Sequence, residues 1–462
     1  MNMEEMASLI GVTIPVFRFL RCFIATIPIS LFHRFVPGGP TVRHVYATLT
    51  GALLSYLSFG VSSNMHFLVL IILSYASMAL YRKCCGLVAF VLAMGYLVGT
   101  HVYYMSGDKW KEGDIDAGGS MMVITLKVIS CAINYNDGLL KEEGLRESQK
   151  KNRLIKLPSF LEFMGYCLCC GSHFAGPVFE MKDYLDWTER KGIWTKSEKP
   201  SPSPLGPAIR AIFQAAMCMW VYLTLEPQYP LSRITDNIYK QWGFMDKLIF
   251  QYMCSFATRW KYYFIWSVSE ASMILLGLGF SGWSNSSPVE PQWGRAKNVD
   301  ILGVEFVKSA AEIPLVWNIH VSRWLRYYVY DRLVKKGRKP GFFQLLVTQT
   351  ISAVWHGVYP GYIIFFVQSA LMISGSKVIY KWQQFVPSNK RTLKKMIMLS
   401  NFAYTVLVLN YSSVGFIVLD LNETITAYGS VYYIGTIIPV AIVLLGNIIR
   451  PRPVTTRVRK NK

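Results

Sequence analysis

The sequence predicts an all-α protein that crosses a membrane many times. Hydrophobic residues make up 52% of its 462 residues, charged residues make up only 16%, and the mean hydropathy is +0.29. A water-soluble chain typically has about 25% charged residues, so this chain lacks the polar surface that would cover a folded domain in water. The composition therefore excludes a soluble enzyme, a secreted disulfide scaffold and a disordered chain.

The membrane segments can be located by length, because a helix that spans a bilayer needs about 20 mostly apolar residues. Candidate segments lie near residues 9–32, 42–62, 64–81, 86–106, 157–180, 206–226, 244–281, 341–358, 359–380, 393–417 and 425–448. The stretch 244–281 is long enough for two passes, with Arg259 and Lys261 at the break. Residues 119–136 and 313–334 mix apolar and polar side chains, which favours amphipathic or re-entrant segments. We expect one polytopic domain over residues 1–462, with about 9–12 membrane segments.

Clusters of basic residues predict the orientation of these segments. Lysine and arginine number 48 against 27 acidic residues, which gives a net charge of +21. The basic clusters at 332–340, 377–395 and 450–462 all face the cytosol under the positive-inside rule if 341–380 and 393–448 form helical hairpins. This distribution indicates a lipid bilayer as the partner of the positive charge and argues against nucleic acid.

The C-terminal tail and the cysteines give two further expectations. Residues 459–462, RKNK, resemble a dibasic endoplasmic-reticulum retrieval signal, although a plain positive-inside tail explains the same residues. We therefore expect a protein of the endoplasmic-reticulum membrane with residues 450–462 as a basic cytosolic tail. Cys167, Cys169 and Cys170 lie in an apolar segment without a second CxxC or an HxxxH pattern, so we expect no metal site.

Polar side chains inside apolar segments are costly and are therefore candidates for function. Of the seven histidines, only His356 lies deep in an uncharged run, between Trp355 and Gly357. A single histidine on an apolar helix face is more often a hydrogen-bonded core residue than a catalytic one. The surrounding sequence decides between these alternatives.

Four motifs shift the interpretation of His356 towards catalysis. Residues 355–362 read WHGVYPGY, and Trp317-Asn318 stand twelve residues after Glu305 in an E-x11-WN pattern. Upstream, residues 134–138 read NYNDG and residues 171–177 read GSHFAGP. In this combination the motifs resemble those of the membrane-bound O-acyltransferase (MBOAT) family, and in particular its plant-type lysophospholipid acyltransferase branch.

The resemblance implies a fold, a reaction and a set of site residues. The fold would be an MBOAT-type helical bundle that encloses a reaction chamber. The reaction would move a fatty acyl group from acyl-CoA to the free hydroxyl of a lysophospholipid such as lysophosphatidylcholine or lysophosphatidylethanolamine, as in phospholipid remodelling. No metal or organic cofactor is implied. His356 and Asn318 match the family's active-site positions. The further candidates for substrate binding are Glu305, Trp317, Arg323, Arg326, Trp355, Asn136, Asp137 and His173.

The segment after Asn318 departs from the branch at one position and has a basic face. The branch usually has threonine three residues after the asparagine, whereas this chain has Val321 followed by Ser322. The sequence therefore leaves open whether a side-chain hydroxyl makes a contact at this position. At helical spacing Arg323 and Arg326 share one face, and Asn318 lies on another. The basic face would meet the phosphates of acyl-CoA, with anchoring to the membrane surface as the alternative.

Acyl transfer to an alcohol needs a base and an oxyanion donor. Neutral imidazole has an unperturbed pKa of about 6.5 and suits His356 to the first role, where a general base contributes roughly 10²–10⁴-fold. The amide of Asn318 could donate to the oxyanion, orient His356 or place the substrate hydroxyl. Since no serine or cysteine lies in a nucleophile motif, direct transfer without an acyl-enzyme is the simpler mechanism.

Two other functions stay open at this point. Within the family the acceptor could be a sterol, a diacylglycerol or a protein, although the E-x11-WN and NYNDG motifs argue against these. A transporter could use His356 and Asn318 in a proton or substrate pathway. Such proteins typically show matching broken segments in two halves, and the sequence has no such symmetry. A homo-oligomer is also left open, because no interface pattern is recognisable.

Overall fold

The structure, a computed structural model, describes residues 2–9, 11–105, 117–195, 202–335, 337–338 and 340–449. The first part of the chain contains α1 (Met3–Leu9), α2 (Ile14–Phe35), α3 (Pro40–Leu80), α4 (Cys85–Met105), α5 (Gly118–Asp137), α6 (Glu147–Asn152), α7 (Phe160–Leu168), α8 (Cys170–His173), α9 (Met181–Thr188), α10 (Leu205–Leu225), α11 (Asn237–Gln241) and α12 (Phe244–Leu276). The second part contains β1 (Gly282–Trp283), β2 (Pro291–Gln292), α13 (Ile301–Glu305), α14 (Ile313–Val316), α15 (Ile319–Tyr328), α16 (Phe342–His356), α17 (Pro360–Gln384), α18 (Arg391–Val418), α19 (Leu421–Gly429) and α20 (Ile434–Ile448). The two strands form one short antiparallel pair. The predicted all-α class is confirmed, and the predicted tail 450–462 lies outside the described residues.

The helices confirm a multi-pass membrane protein. Among the described residues, seven helices are long and apolar enough to cross a membrane: α2, α3, α4, α5, α10, α17 and α18. The pair α19 and α20, bent by 74°, makes an eighth. One of the seven, α3, folds back on itself and so contains two of the predicted segments. The described residues thus contain seven candidate spans, or eight if the bent pair is a single span, below the predicted 9–12; counting the two halves of α3 separately adds one.

Helix α3 is a hairpin of two helical halves that meet at Gly60. Gly60 has φ 79°, outside the helical region, and it separates two stretches of about 20 residues each. The rings of Phe59 and Phe67 lie 6.3 Å apart, although eight residues of straight helix would separate them by about 12 Å. The chain therefore reverses at Gly60, as the separate predictions for 42–62 and 64–81 required.

The predicted membrane segment 157–180 was wrong, because this stretch enters the bundle and turns back. Helix α7 begins with a capping box in which the Ser159 backbone N–H donates to Glu162 at 2.6 Å. The chain then breaks at Cys169 and returns, so that the Tyr166 hydroxyl donates to the Phe179 carbonyl at 2.6 Å. The break divides the run into pieces of 9 and 4 helical residues, each too short to span a bilayer.

Three other predicted segments differ in detail from the structure. The stretch 244–281 is a single helix of 33 residues and not two passes, with Arg259 and Lys261 inside it. Residues 119–136 form α5, which is buried on nearly every face and meets the criteria for a span, instead of lying amphipathic or re-entrant. The stretch 341–358 yields only the 15 residues of α16. The predicted non-spanning character of 313–334 is confirmed, since α14 and α15 are short.

Helix contacts define two ends of the bundle. At one end, which we call the basic end, Arg332 pairs with Asp137 after α15 and the Arg82 guanidinium lies 4.1 Å from the Tyr135 ring. The end of α2 and the end of α12 also meet here, beside α9. At the opposite end the start of α12 packs on α19, where the Gln251 side chain donates to the Ala427 carbonyl at 2.7 Å.

Candidate active site

His356 is the last residue of α16, and the chain turns sharply after it. Gly357 has φ 142°, a conformation that L side chains rarely adopt, and Pro360 starts α17 three residues later. The Gly361 N–H then donates to the Leu419 carbonyl at 2.9 Å, which fixes the turn against the end of α18. The WHGVYPGY motif therefore places His356 at a helix end held between two long helices.

Aromatic rings surround His356. Its ring lies 4.6 Å from the Trp355 ring, 5.0 Å from Phe366 in a stacked arrangement, and 5.2 Å from the edge of Phe416. The side chain is half-buried, and within the described residues neither ring nitrogen has a hydrogen-bond partner. An imidazole in an apolar setting with a nitrogen available is what a general base for an incoming hydroxyl requires.

Asn318 stands at the N-terminus of α15 in a left-handed conformation, with φ 42° and ψ 54°. Its Oδ1 accepts from the side-chain amide of Asn298 at 3.1 Å. Asn298 is itself fixed, because its Oδ1 accepts from the His320 backbone N–H at 3.0 Å and its carbonyl oxygen accepts from Ile319 at 2.9 Å. This arrangement occupies the oxygen of the Asn318 amide and leaves its N–H₂ group to donate elsewhere.

A chain of aromatic rings joins Trp317, the residue before Asn318, to His356. Trp317 packs on α12, with its ring 4.9 Å from Trp266 and 5.9 Å from Tyr262. Tyr262 lies 6.3 Å from Phe416, whose ring also contacts His356. The two predicted catalytic motifs, 38 residues apart in sequence, therefore meet the same group of rings.

Glu305 forms a buried ion pair. Its two oxygens accept from Arg259 at 3.0 and 2.9 Å, and one of them also accepts from the Tyr263 hydroxyl at 2.6 Å. Arg259 donates to Asn410 on α18 as well. These contacts tie the segment that leads to Trp317 onto α12, so the structure gives Glu305 a role in placing that segment.

The NYNDG residues make contacts at the basic end. Asn136 donates to the carbonyl oxygens of Arg82 and Lys83 at 3.1 and 2.8 Å, which closes the turn between α3 and α4. Asp137 accepts two hydrogen bonds from Arg332, at 3.1 and 2.6 Å. Substrate binding by Asn136 and Asp137 stays a prediction, and the structure shows them joining helices.

Burial raises the pKa of Glu180, between α8 and α9, to about 7. The Tyr328 hydroxyl donates to this carboxyl group at 2.7 Å and the Asn134 amide donates to it at 2.9 Å. These hydrogen bonds favour the charged form but do not outweigh the loss of hydration. Glu180 thus joins α9 to α5 and α15 in a form that takes up a proton near neutral pH.

The remaining predicted residues lie in different surroundings. Trp355 is held in place, because its indole N–H donates to the Met122 carbonyl at 2.9 Å and its own carbonyl accepts from His101 at 3.3 Å. His173 is fully buried with its ring 5.1 Å from Phe67, and neither of its nitrogens has a hydrogen-bond partner among the residues that the structure describes. Arg323 and Arg326 are exposed on α15, on the face away from Asn318, as the helical spacing predicted.

Comparison with known proteins places this site in a family. The model of the membrane-bound O-acyltransferase family matches residues 102–418, about two thirds of the chain. The chain belongs to this family. That match includes every residue predicted for the site, from Asn136 to His356. Because the family consists of O-acyltransferases, the chain is an acyltransferase enzyme.

Individual MBOAT proteins resemble the chain over its whole length. It is 64% identical to lysophospholipid acyltransferase 1 of Arabidopsis thaliana, over 100% of both chains. It is 63% identical to lysophospholipid acyltransferase 2 of the same organism, over 100% of this chain and 99% of that one. A lysophospholipid acyltransferase of Schizosaccharomyces pombe is 30% identical over 93% of this chain and 86% of its own length. The plant-type resemblance inferred from the motifs is confirmed.

Sequence analysis missed several residues that shape this site. Asn298 lies in a hydrophilic stretch that the sequence indicates only as a loop, and nothing in its neighbourhood links it to Asn318. Phe416 and Tyr262 belong to apolar helices in which aromatic residues are common. Arg259 did stand out as a charge in an apolar run, but its partner Glu305 is 46 residues away.

Proposed function

We propose that the chain transfers a fatty acyl group from acyl-CoA to the free hydroxyl of a lysophospholipid, and so acts in phospholipid remodelling. The observation that carries the proposal is the junction of the WHGVYPGY and Trp317-Asn318 motifs at one group of aromatic rings. The names of its full-length relatives supply the lysophospholipid as acceptor. Lysophosphatidylcholine and lysophosphatidylethanolamine are the proposed acceptors.

His356 is the proposed general base. The acceptor hydroxyl gives its proton to the imidazole as its oxygen attacks the thioester carbonyl carbon. The carbon–sulfur bond then breaks, and His356 returns the proton to the departing thiolate of CoA. One ester and one thiol replace one thioester and one alcohol, so the base is regenerated and no acyl-enzyme is needed.

Asn318 is the proposed donor to the oxyanion of the tetrahedral intermediate. Because Asn298 holds its Oδ1, the N–H₂ group is oriented before the substrate arrives, and a preorganised donor needs no rearrangement at the moment of reaction. Removing one such donor typically lowers the rate by about 10²–10³-fold.

The acyltransferase is proposed to reside in the endoplasmic reticulum with its basic end in the cytosol. Acyl-CoA, which carries several negative charges, would approach that end. The support is the concentration of lysine and arginine at 332–340 and 377–395, which the positive-inside rule places in the cytosol.

The test uses microsomes from a host that lacks its own lysophospholipid acyltransferases. Transfer of labelled oleate from oleoyl-CoA to lysophosphatidylcholine is measured for the wild type, His356→Ala and Asn318→Ala at matched expression. The control is Asn285→Ala, an exposed position in the 282–292 loop. We expect activity in the wild type and the control and a loss of at least 100-fold in the other two. An active His356→Ala would reject the general base, and a silent wild type would reject the acceptor.

A further inference from the structure

Three arginine side chains meet at the basic end, beside the end of α12. Arg34 lies at the end of α2, Arg43 in the first turn of α3, and Arg190 just after α9. Arg190 donates to the Arg34 carbonyl at 3.4 Å, and Arg43 donates to the carbonyl of Thr188, two residues before Arg190. All three side chains are half-buried. Like charges brought together out of water repel, so such a cluster calls for negative charge.

The carboxylates around this arginine cluster are engaged elsewhere. Glu189, next to Arg190, pairs with Lys191 at 2.6 Å. In the part of the chain that the structure describes, no carboxylate forms an ion pair with Arg43 or Arg190. Burial, and then the charges of Arg43 and Arg34, lower the pKa of Arg190 to about 10. Arg43 and Arg190 therefore carry positive charge that no carboxylate among the described residues balances.

Two buried donors at the same place have no acceptor. Trp187 is fully buried, and its indole N–H makes no hydrogen bond within the described chain. The Nε–H of Arg43 is likewise buried and without an acceptor. The Trp187 ring lies 5.9 Å from the guanidinium carbon of Arg190. A buried donor left unsatisfied costs about 1–3 kcal/mol, and native structures contain few of them, so each indicates a site for an acceptor.

Gly277 lies against two of the donors at this site. It ends α12 with φ 99°, a conformation that glycine adopts without strain. A methyl group on Gly277 would lie 3.2 Å from both Arg34 Nη1 and Trp187 Nε1, so these two nitrogens face the same small region. Any other residue would fill that region with its side chain.

We propose that Arg34, Arg43, Arg190 and Trp187 form a binding site for a phosphate group. A phosphate combines negative charge with several acceptor oxygens, which the planar guanidinium donors match in geometry and the indole N–H can supplement. The arginine cluster is separate from the basic face formed by Arg323 and Arg326 on α15. None of the four sequence motifs that identified the family contains a residue of the arginine cluster.

The phosphate could come from a lipid headgroup or from a CoA-linked acyl donor. Helix α12 connects the two sites, because Tyr262 contacts Trp317 and Gly277 borders the arginine cluster. The intervening helix is about 22 Å long, of the order of an extended pantetheine arm with its diphosphate. The CoA source rests on the proposed function, whereas the lipid source does not.

Thermal unfolding in a phosphate-free nonionic detergent tests the site directly. Inorganic phosphate, compared with chloride at equal ionic strength, should raise the Tm of the wild type by roughly 2–4 °C at saturation. Arg391→Gln removes one exposed charge within the basic cluster 377–395, away from the arginine cluster, and should respond as the wild type does. Arg190→Gln should lose most of the rise, and Arg190→Lys should keep part of it. An unresponsive wild type, or an equal rise in all four proteins, would overturn the proposal.

Two further measurements distinguish the sources of phosphate. If CoA supplies it, free CoA raises the Tm of the wild type, and the KM for oleoyl-CoA rises at least about fivefold in Arg190→Gln with kcat unchanged. If a lipid supplies it, phosphatidic acid raises the Tm of the wild type and diacylglycerol, which lacks the phosphate, does not. Either result supports the site. A wild type without transferase activity would reject the proposed function, yet the response to inorganic phosphate would still decide the arginine cluster.

Discussion

At the scale of single residues, the orientation of Asn318 depends on a partner twenty residues upstream. Asn298 binds the Asn318 side chain and also the first two backbone N–H groups of α15, so one amide fixes both the donor and the helix start. An amide with its oxygen occupied presents its N–H₂ group in a defined direction. This is the property that an oxyanion donor needs.

Replacing Asn298 with alanine should therefore lower the turnover of the acyltransferase. We expect kcat to fall about tenfold, less than the 10²–10³-fold typical of removing the oxyanion donor itself. The measurement is kcat and KM for oleoyl-CoA and lysophosphatidylcholine, with Asn285→Ala in the exposed 282–292 loop as the control. Unchanged kcat in Asn298→Ala would show that the hydrogen bond to Asn318 does not matter for the reaction.

Glu180 gives the protein a pH-dependent stability. Its pKa is about 7 in the folded protein and about 4.5 as its ordinary value, so between these values the folded state holds a proton that the unfolded state has lost. The unfolded state binds fewer protons in this window, and the free energy of unfolding must therefore decrease as the pH rises from about 4.5 to 7. We expect Tm to fall over this range in the wild type and to change less in Glu180→Gln. Parallel curves for the two proteins would contradict this.

At the scale of secondary-structure elements, α12 is the support on which the catalytic segment rests. The ion pair between Arg259 and Glu305 is almost fully buried, with side-chain exposures of 10% and 15%. It holds α13 against α12, while Tyr262, Tyr263 and Trp266 hold Trp317. The E-x11-WN motif thus corresponds to two attachment points on one helix.

Breaking this ion pair should destabilise the protein more than replacing it. Arg259→Met leaves Glu305 buried without its partner and should cost about 3–5 kcal/mol, whereas the double variant Arg259→Met/Glu305→Leu should recover most of that loss. Both should have low activity, because the segment before Asn318 has lost an attachment. Thermal unfolding and activity would be compared with Lys261→Met, an exposed position on α12. A double variant no more stable than Arg259→Met would refute the argument.

Apolar length predicted most of the helices but not how they bend. Residues 157–180 contain enough apolar residues for a span, yet the break at Cys169 and the Tyr166–Phe179 hydrogen bond make the chain turn back. Residues 119–136 contain polar side chains and were not expected to span. Contacts from other parts of the chain satisfy some of those side chains; Lys127, for example, donates to the Tyr166 carbonyl at 2.9 Å and to the Ser172 hydroxyl at 2.7 Å. Long-range partners of this kind leave no periodic signal in the sequence.

The candidate site was predictable where a motif carried it and not elsewhere. His356 and Asn318 could be named because their neighbours match a family pattern, and the structure connects His356 through aromatic rings to Trp317, which precedes Asn318. The common helix face of Arg323 and Arg326 followed from the 3.6-residue period alone. Asn298 and Arg43 have roles defined by partners that are distant in sequence, and only the folded chain reveals them.

At the scale of the whole molecule, the hairpin in α3 predicts that both ends of α3 lie on one side of the membrane and that its turn lies towards the other. Cys84 is the only exposed cysteine, since the other eight are buried. In a Cys84→Ser background, Val42→Cys and Val61→Cys place single reporters at the start of α3 and next to Gly60, both at exposed positions. We expect an impermeant maleimide to label Cys84 in the wild type and Val42→Cys from the same face of sealed microsomes. Val61→Cys should react from that face only after permeabilisation, and labelling of Val42→Cys and Cys84 from opposite faces would rule out the hairpin.

The reversal at Gly60 also bears on how the rest of the chain acquires its topology. A segment that crosses and returns adds an even number of crossings, so the side on which α4 begins is set by α2 and not by α3. Whether the chain crosses the membrane an odd or an even number of times therefore does not depend on α3. Removing or replacing residues 40–80 as a unit would leave every later loop on its original side, and the basic clusters near the C-terminus would retain their orientation without reference to α3.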